Sequence, residues 1–327
     1  MTVPCVRVDP ERGEATRQRL EAAGLLSETH DIDVDDGWLY IPIRTDESVP
    51  PDLTVVDYAA PERDTQTMPA GLLGFEPTYE RLGDVVIVDE DDPDRARAVA
   101  AAIVDSDLPV ATVVNKRSKV KGETRVRDWE VLAGDGTETV HREYGAEFLL
   151  DIAEVYFSPR LATERHRVVS QVTDGENAFD MFAGVGPYAI PMALGGASVV
   201  ATDINEIAIE YLRENARRNG VADAVTAYAR DAREMVDEYE NWADRLVMNL
   251  PHSAQEFVDT AVALAGGQAV LHYYDIQHES DPYEPGERAI RAAAEPQYDV
   301  TVETRHEVRT YAPHEVNVVL DVRLTRR

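Results

Sequence analysis

The chain has 327 residues, 44% of them apolar, and carries 62 acidic against 32 basic side chains, a formal net charge of -30. That length suits two or three domains of roughly 150 residues or fewer, each able to bury a core. No apolar run approaches the roughly 20 residues that span a bilayer, and the amino end lacks the cationic start and apolar stretch of a secretion signal. The single cysteine, Cys5, excludes an internal disulfide framework and a thiolate metal cluster. The histidines are scattered without a pair at ligand spacing, so no metal is expected, and a cytoplasmic protein without membrane association is the plain reading.

At ordinary ionic strength such an acidic surface repels itself and any phosphate backbone. Molar salt shortens the Debye length to about 3 Å and removes that penalty. A high-salt cytoplasm, as in a halophilic archaeon, is therefore the expected setting. Only three of the basic residues are lysines, and all lie close together: Lys116, Lys119 and Lys121. With Arg117, Arg125 and Arg127 they give residues 115–127 six cations, against Glu123 as the one acid. A loop that drifted basic is the bland reading. A phosphate-contacting patch on a nucleic-acid-binding protein is the sharper one.

In chain order, residues 12–25 have helical apolar spacing closed by Gly24, and residues 38–43 read as a strand. Together they suggest a small α+β domain over residues 1–55. Polar, proline-bearing stretches at 45–51 and 61–77 read as linker. A second α+β unit, 56–165, has strands at 84–89 and 110–114 around an alanine-rich helix at 93–103, whose acidic lead and Pro93 suit a helix start. Further strands are expected at 129–132 and 147–150. A helix at 163–172 opens the third domain, 166–327.

From residue 177 strands and helices alternate, which argues for a doubly wound, mostly parallel sheet. Strands are expected at 177–182, 198–203, 225–229, 245–249 and 269–274. Helices are expected at 187–194, at 206–219, near Met235 and from Ala254. The stretches 298–308 and 316–324 read as an antiparallel hairpin finishing the sheet.

The segment Asp180-Met-Phe182-Ala-Gly184-Val-Gly186-Pro187-Tyr-Ala follows a strand and opens a helix. Glycines there let the backbone approach a ligand, and Pro187 fits a first helical turn. The same spacing fits a dinucleotide-binding turn, so an NAD-dependent oxidoreductase remains in view. Asp203 ends the second strand and can hold ribose hydroxyls. Asp231 ends the third and can accept from an adenine amino group, while Asp180 can orient the loop or meet an ammonium. Each alone fits a helix cap, but acids ending three successive strands on one sheet edge describe a cofactor pocket. The fourth strand runs into Asn249-Leu-Pro251. Its amide offers a donor and an acceptor to a nucleobase edge, where the bland reading is an Asn-x-Pro turn.

At these residues the sequence resembles the archaeal and eukaryotic tRNA (guanine-N1)-methyltransferase family acting at tRNA position 37. The likeness extends to Tyr156-Phe-Ser-Pro-Arg-Leu-Ala-Thr-Glu164-Arg165, to the segment from Arg125 to Gly134, and to Tyr311-Ala-Pro313. It implies a class I methyltransferase domain of Rossmann-like fold preceded by two small α+β domains, the first recognising the tRNA elbow. It further implies S-adenosylmethionine as cofactor, tRNA as partner through its anticodon loop, and a monomer. Guanine N1 is no nucleophile until its proton leaves. The resemblance makes Glu164 the general base, sets Arg125 over O6 to stabilise the developing charge, and has Asn249 hold the guanine edge. Arg165, Phe182, Asp203, Ile204, Asp231 and Ala232 are then expected to contact the cofactor, with Tyr156 and Pro251 shaping the base pocket. The base must be extruded from the loop, at a cost of a few kcal/mol.

One departure stands out: His314 follows Tyr311-Ala-Pro313 where the family is expected to have glycine, which puts the local turn in doubt. Aminocarboxypropyl transfer to a wyosine precursor, and methylation of a wyosine intermediate, are the alternatives within the fold. A non-catalytic RNA-binding protein is the alternative outside it.

Overall fold

The computed structural model describes residues 2–45, 48–63, 66–122 and 124–327, so Glu123 of the basic segment lies outside the described residues. The chain divides into two compact units, Met1–Gly71 and Leu72–Arg327.

In the first unit β1 (Val3–Val8), α1 (Gly13–Ala22), β2 (Asp33–Asp35), β3 (Trp38–Pro42) and β4 (Thr54–Tyr58) form an antiparallel sheet, order β2-β3-β1-β4, with one helix. Leu20 and Leu25 pack on Val6, Val8 and Ile41 to close its core. Gly24, at φ +68°, ends the helix as expected. Strands β1 and β4 were not legible: each is short, and proline or a linker-like flank interrupts its alternation. Because β4 pairs with β1, the expected border at residue 55 falls inside a strand.

The second unit begins after the short α2 (Pro69–Leu73) with β5 (Tyr79–Leu82), β6 (Val85–Val88), α3 (Pro93–Val104), β7 (Thr112–Lys116) and β8 (Trp129–Ala133). Asp92 caps α3 ahead of Pro93, as the sequence suggests. The sheet runs β5-β6-β7-β8, and α3 buries Val99 and Ile103 against Val86, Val88 and Val113. A separate hairpin follows, β9 (Glu138–Glu143) and β10 (Ala146–Asp151). Then α4 (Ala162–Val169) carries both Glu164 and Arg165, so the expected border at 165 falls inside a helix.

The large sheet comprises β11 (Asn177–Asp180), β12 (Ser198–Asp203), β13 (Val225–Ala229), β14 (Ala243–Met248), β15 (Ala265–His278), β16 (Tyr298–Ala312) and β17 (Glu315–Arg326). Its order is β13-β12-β11-β14-β15-β17-β16. The first five run parallel, and the last two form the expected antiparallel hairpin. Helices α5 (Ala189–Leu194), α6 (Glu206–Arg218), α7 (Val236–Tyr239), α8 (Val258–Leu264) and α9 (Glu284–Ala294) cover its faces. Helix α9 was not foreseen; Pro285 and Gly286 stand in its first turn. Gly286 is needed there, because a Cβ would lie 2.8 Å from the ring of Tyr273.

Helix α6 ties the hairpin to the large sheet's layer. Asn215 Nδ2 donates to the carbonyls of Leu149 and Val185 at 3.0 Å, and its Oδ1 accepts from the Leu149 amide at 2.7 Å. One turn on, Asn219 makes the same pair of bonds to the amide and carbonyl of Glu147. The edge of β10 is thus paired by side chains rather than by another strand. Around these bonds Phe148 and Leu150 share one core with Val185, Ile190, Ala208 and Ala216. Asn215→Ala leaves buried backbone groups without partners and should cost about 3 kcal/mol or more. Denaturant titration measures this; a loss under about 1 kcal/mol would mean that the apolar core alone holds the hairpin.

Candidate active site

The carboxyl ends of β11, β12 and β14 face one cleft, whose far wall comes from the β7–β8 loop, the β10–α4 region and the terminal hairpin. Its floor is the loop after β11. That loop is pinned by the Met181 amide to Val247 O (3.1 Å), the Ala183 amide to Thr202 O (2.8 Å) and the Gly184 amide to Asp203 Oδ2 (2.8 Å). The two glycines answer to different constraints. A Cβ on Gly184 (φ +51°) would meet nothing nearer than 3.9 Å, so that residue opens on the cleft. A Cβ on Gly186 (φ +95°) would lie 2.9 Å from Ile190, so that residue is small for packing.

Asp203 lines the cleft and accepts from the amides of Gly184 and Asn205 at 2.8 and 2.9 Å. Burial pushes its carboxyl up, and those amides oppose the rise. Asp180 lies wholly buried beneath the glycine loop without a cationic or side-chain partner, and the nearby amides of Phe182 and Ala189 oppose only part of the rise that burial imposes. Burial raises its pKa from 3.8 to about 7. Phe182, Asn249 and Pro251 complete this side. An open glycine face, a ribose-type carboxylate and a buried acid lacking a counter-charge suit a ligand with ribose hydroxyls and an ammonium group.

Of the other expected cofactor contacts, Arg165 lines the cleft, whereas Asp231, Ile204 and Ala232 do not. Asp231 is turned to Arg233, with Nη2 at 2.5 Å and Nε at 2.9 Å, and that guanidinium holds its carboxyl below the ordinary range. Arg233 in turn lies over the ring of Phe257, which meets Phe182 edge to face. Ile204 is half exposed at the rim and Ala232 is buried. Arg165 borders the cleft, but its guanidinium is committed to Glu143 through two bonds of 2.6 Å. Burial alone would push Glu143 up; Arg165 and His141 outweigh it and hold the carboxyl low.

On the opposite wall Arg125 adopts φ +56°, a strained backbone for a side-chain-bearing residue. Its guanidinium stacks 5.0 Å over the ring of Tyr156, another cleft residue. Arg125 and Tyr156 also line an adjoining hollow that holds Lys116, Arg127, Arg160 and Arg309, with Trp129 and Tyr311. The sequence singled out Arg125, Arg127 and Lys116 but gave no role to Arg160, inside the quoted segment from Tyr156 to Arg165, or to Arg309. Much of the basic segment is neutralised in space: Lys116 pairs with Asp89 at 3.0 Å, Arg117 with Glu130 at 2.5 Å, and Lys121 with Asp128. Lys119 is exposed.

Glu164 does not line the cleft. It is buried in α4; its Oε1 accepts from the Tyr274 hydroxyl (2.6 Å) and Arg167 Nη2 (2.8 Å), and its Oε2 accepts from Arg167 Nε (2.8 Å). Tyr274 and His306 both pair with Val319 of β17, and the next same-face rung, Ile276–Asn317–Arg309, does line the cleft. Glu164 therefore waits about one rung, some 7 Å, behind the cleft wall. Asn317 and Arg309 were also missed; each has a buried polar atom without a partner, Oδ1 and Nε respectively. The doubtful turn keeps its shape: His314 takes φ +64°, the conformation a glycine would favour, and bonds to Glu279 at 2.8 Å.

Because folding raises the pKa of Asp180, the folded chain keeps a proton that the unfolded chain loses. Its stabilising contribution is full below about pH 4 and is lost as pH rises through about 7. Asp180→Asn should therefore be more stable relative to the parent at pH 8 than at pH 4, as thermal melts in molar potassium chloride will reveal. An equal offset at both values would show that no buried-charge penalty exists.

Comparison with known proteins places the chain in a family. Residues 5–49 match the tRNA methyltransferase 5 N-terminal domain and residues 65–137 the TYW2 N-terminal domain. The chain is 39% identical to the tRNA (guanine(37)-N(1))-methyltransferase Trm5b of Pyrococcus abyssi over 98% of both chains. It is 36% identical to the tRNA(Phe) (4-demethylwyosine(37)-C(7)) aminocarboxypropyltransferase of Pyrococcus horikoshii over 75% of this chain and 88% of that one. The solved complex of aTrm5 and tRNALeu aligns with a TM-score of 0.76 at 30% identity, covering 98% of this chain and 99% of the other. Residues 139–302 match the TRM5/TYW2 methyltransferase domain, and the chain belongs to that family.

Proposed function

We propose that the chain transfers the methyl group of S-adenosylmethionine to N1 of guanosine 37 in tRNA. The observation that carries this reading is the continuity of two sites: the Gly184–Asp203 cleft opens directly onto the wall made by Arg125, Tyr156, Asn249 and Pro251. The cofactor, when bound, supplies an electrophilic methyl on a sulfonium. Gly184 and Asp203 would hold its nucleoside, with Asp180 as the buried counter-charge. Everything else falls to the base pocket.

A guanine admitted beside Asn249 can share its Watson–Crick edge with that amide. Arg125, already stacked on Tyr156, is suited to face O6 as negative charge builds there. Glu164 serves as general base in this reading, which requires tRNA binding to bring its Oε2, held by a single bond from Arg167, from behind the cleft wall to within hydrogen-bond reach of guanine N1. The adjoining cationic and aromatic hollow suits the flanking phosphates and bases of an anticodon loop. The amino-terminal unit, with Arg7 stacked on the exposed Trp38, suits a second contact at the tRNA elbow. We infer that the enzyme acts as a monomer in a saline cytoplasm, which its acidic surface fits.

The match of residues 65–137 to the TYW2 N-terminal domain favours aminocarboxypropyl transfer as the second reading. The amino-terminal match and the full-length relative speak for methyl transfer. Incubating the protein in molar potassium chloride with cofactor labelled on the methyl or on the carboxyl carbon, plus a guanosine-37 transcript, separates them. Methyl label recovered in 1-methylguanosine is the expected result; carboxyl label in the tRNA, or none of either, overturns the proposal.

Glu164→Gln should slow single-turnover transfer by roughly 10² or more with cofactor affinity little changed; an undiminished rate removes it as base. Replacing Lys116, Lys119 and Lys121 together by alanine should weaken tRNA binding. Filter-binding affinity equal to the parent's would take those lysines out of the interface.

A further inference from the structure

Behind the cleft, one guanidinium serves two carboxylates. Arg167 holds Glu164 through Nε and Nη2, both at 2.8 Å, and holds Asp321 through Nη1 at 2.5 Å and Nη2 at 3.1 Å. Asp321 on β17 is 2% exposed and also meets His272 Nδ1 at 2.6 Å. Burial alone would raise the Asp321 carboxyl, but the bonds from His272 and Arg167 outweigh it and hold it far below the ordinary range. Asp321 is thus a fixed negative charge that anchors Arg167 through Nη1 and shares Nη2 with Glu164. Burial lowers the pKa of His272, so that it stays neutral near pH 7 and competes little for that charge. Around Glu164 the remaining facing groups are few. Tyr274 on β15 donates to Oε1, Tyr188 before α5 donates to Tyr274, and half-exposed His306 on β16 has Nε2 3.8 Å from Oε2.

We propose that Arg167, anchored by Asp321, is a positioning residue that orients the Glu164 carboxylate and supplies the positive charge against which it takes up the guanine proton. This rests on the reading of Glu164 as general base. A buried carboxylate deprived of its cation binds a proton more tightly. A base that must start each cycle empty would then be unavailable at the pH where the parent works. Arg167 cannot itself lose a proton at physiological pH, so it holds the base without competing for the transferred one. Asp321 keeps that guanidinium from following the carboxylate into the cleft.

The test is the pH dependence of single-turnover methyl transfer, on the whole protein with guanosine-37 transcript, in the parent, Arg167→Ala, Arg167→Lys and Asp321→Asn. Cofactor affinity, measured in parallel by calorimetry, should hold in all of them. The acid limb of the profile should move alkaline by about one pH unit or more in Arg167→Ala, with a rate loss of tenfold or more at pH 6 that shrinks as pH rises. Arg167→Lys should recover much of both, and Asp321→Asn should show a smaller alkaline displacement. A uniform loss with an unmoved limb makes Arg167 a structural ion pair only and overturns the proposal, as does an unchanged rate. Should Arg167→Ala not fold, the other two variants decide by the same criterion. Glu164→Gln separates the layers: if it stays fast, the base assignment itself falls, whereas a slow Glu164→Gln beside an unmoved Arg167 limb sinks only the positioning role.

Discussion

Helix α6 presents Asn215 and Asn219 to the free edge of β10, and the cleft can exist because those bonds hold. Its two walls come from different layers: Arg125 and Tyr156 from the region after β7, Asn249 and Asp203 from the large sheet. A shift of an ångström between layers would part the Arg125–Tyr156 wall from the Gly184–Asp203 side of the cleft. Carboxamides suit the task, since each gives a donor and an acceptor to one peptide unit without burying a charge. The apolar core around Phe148 and Val185 adds adhesion, while the amide bonds set register.

Charge is handled in two ways by one acidic chain. On the surface, single ion pairs such as Lys116 with Asp89 are weak individually and weaker in salt. In the interior, Glu164, Arg167, Asp321 and His272 form a continuous array in which the carboxylates and the imidazole are buried and the Arg167 side chain is 26% exposed. Salt that screens the first group reaches the second only through that guanidinium.

How far the sequence disclosed this arrangement depends on range. The glycine loop, the strand-end acids and Asn249-Leu-Pro251 were legible because each is a local consequence of strand, turn and helix. Arg167 was invisible: its partner Asp321 lies 154 positions away, and Tyr274 is 110 positions from Glu164. The partners of the cationic segment were hidden for a similar reason, because Asp89, 27 positions before Lys116, returns beside it only through the pairing of β6 with β7. Asp231 fits its strand-end position but is claimed by Arg233, two residues on. Helix α9 failed at its first turn, where a glycine demanded by Tyr273 mimics a breaker.

The unlike surroundings of Gly184 and Gly186 carry a consequence for descent within such folds. Both need a left-handed backbone, at φ +51° and +95°, but only the second is also held small by the protein's own packing; the space beside the first is answerable to whatever enters it. A lineage that abandoned its ligand could exchange the first for a residue that tolerates that backbone, such as asparagine, and remain a sound globule, yet would keep the second under a double constraint. The pair would then work as a fossil marker, separating descendants that lost chemistry from those that lost architecture.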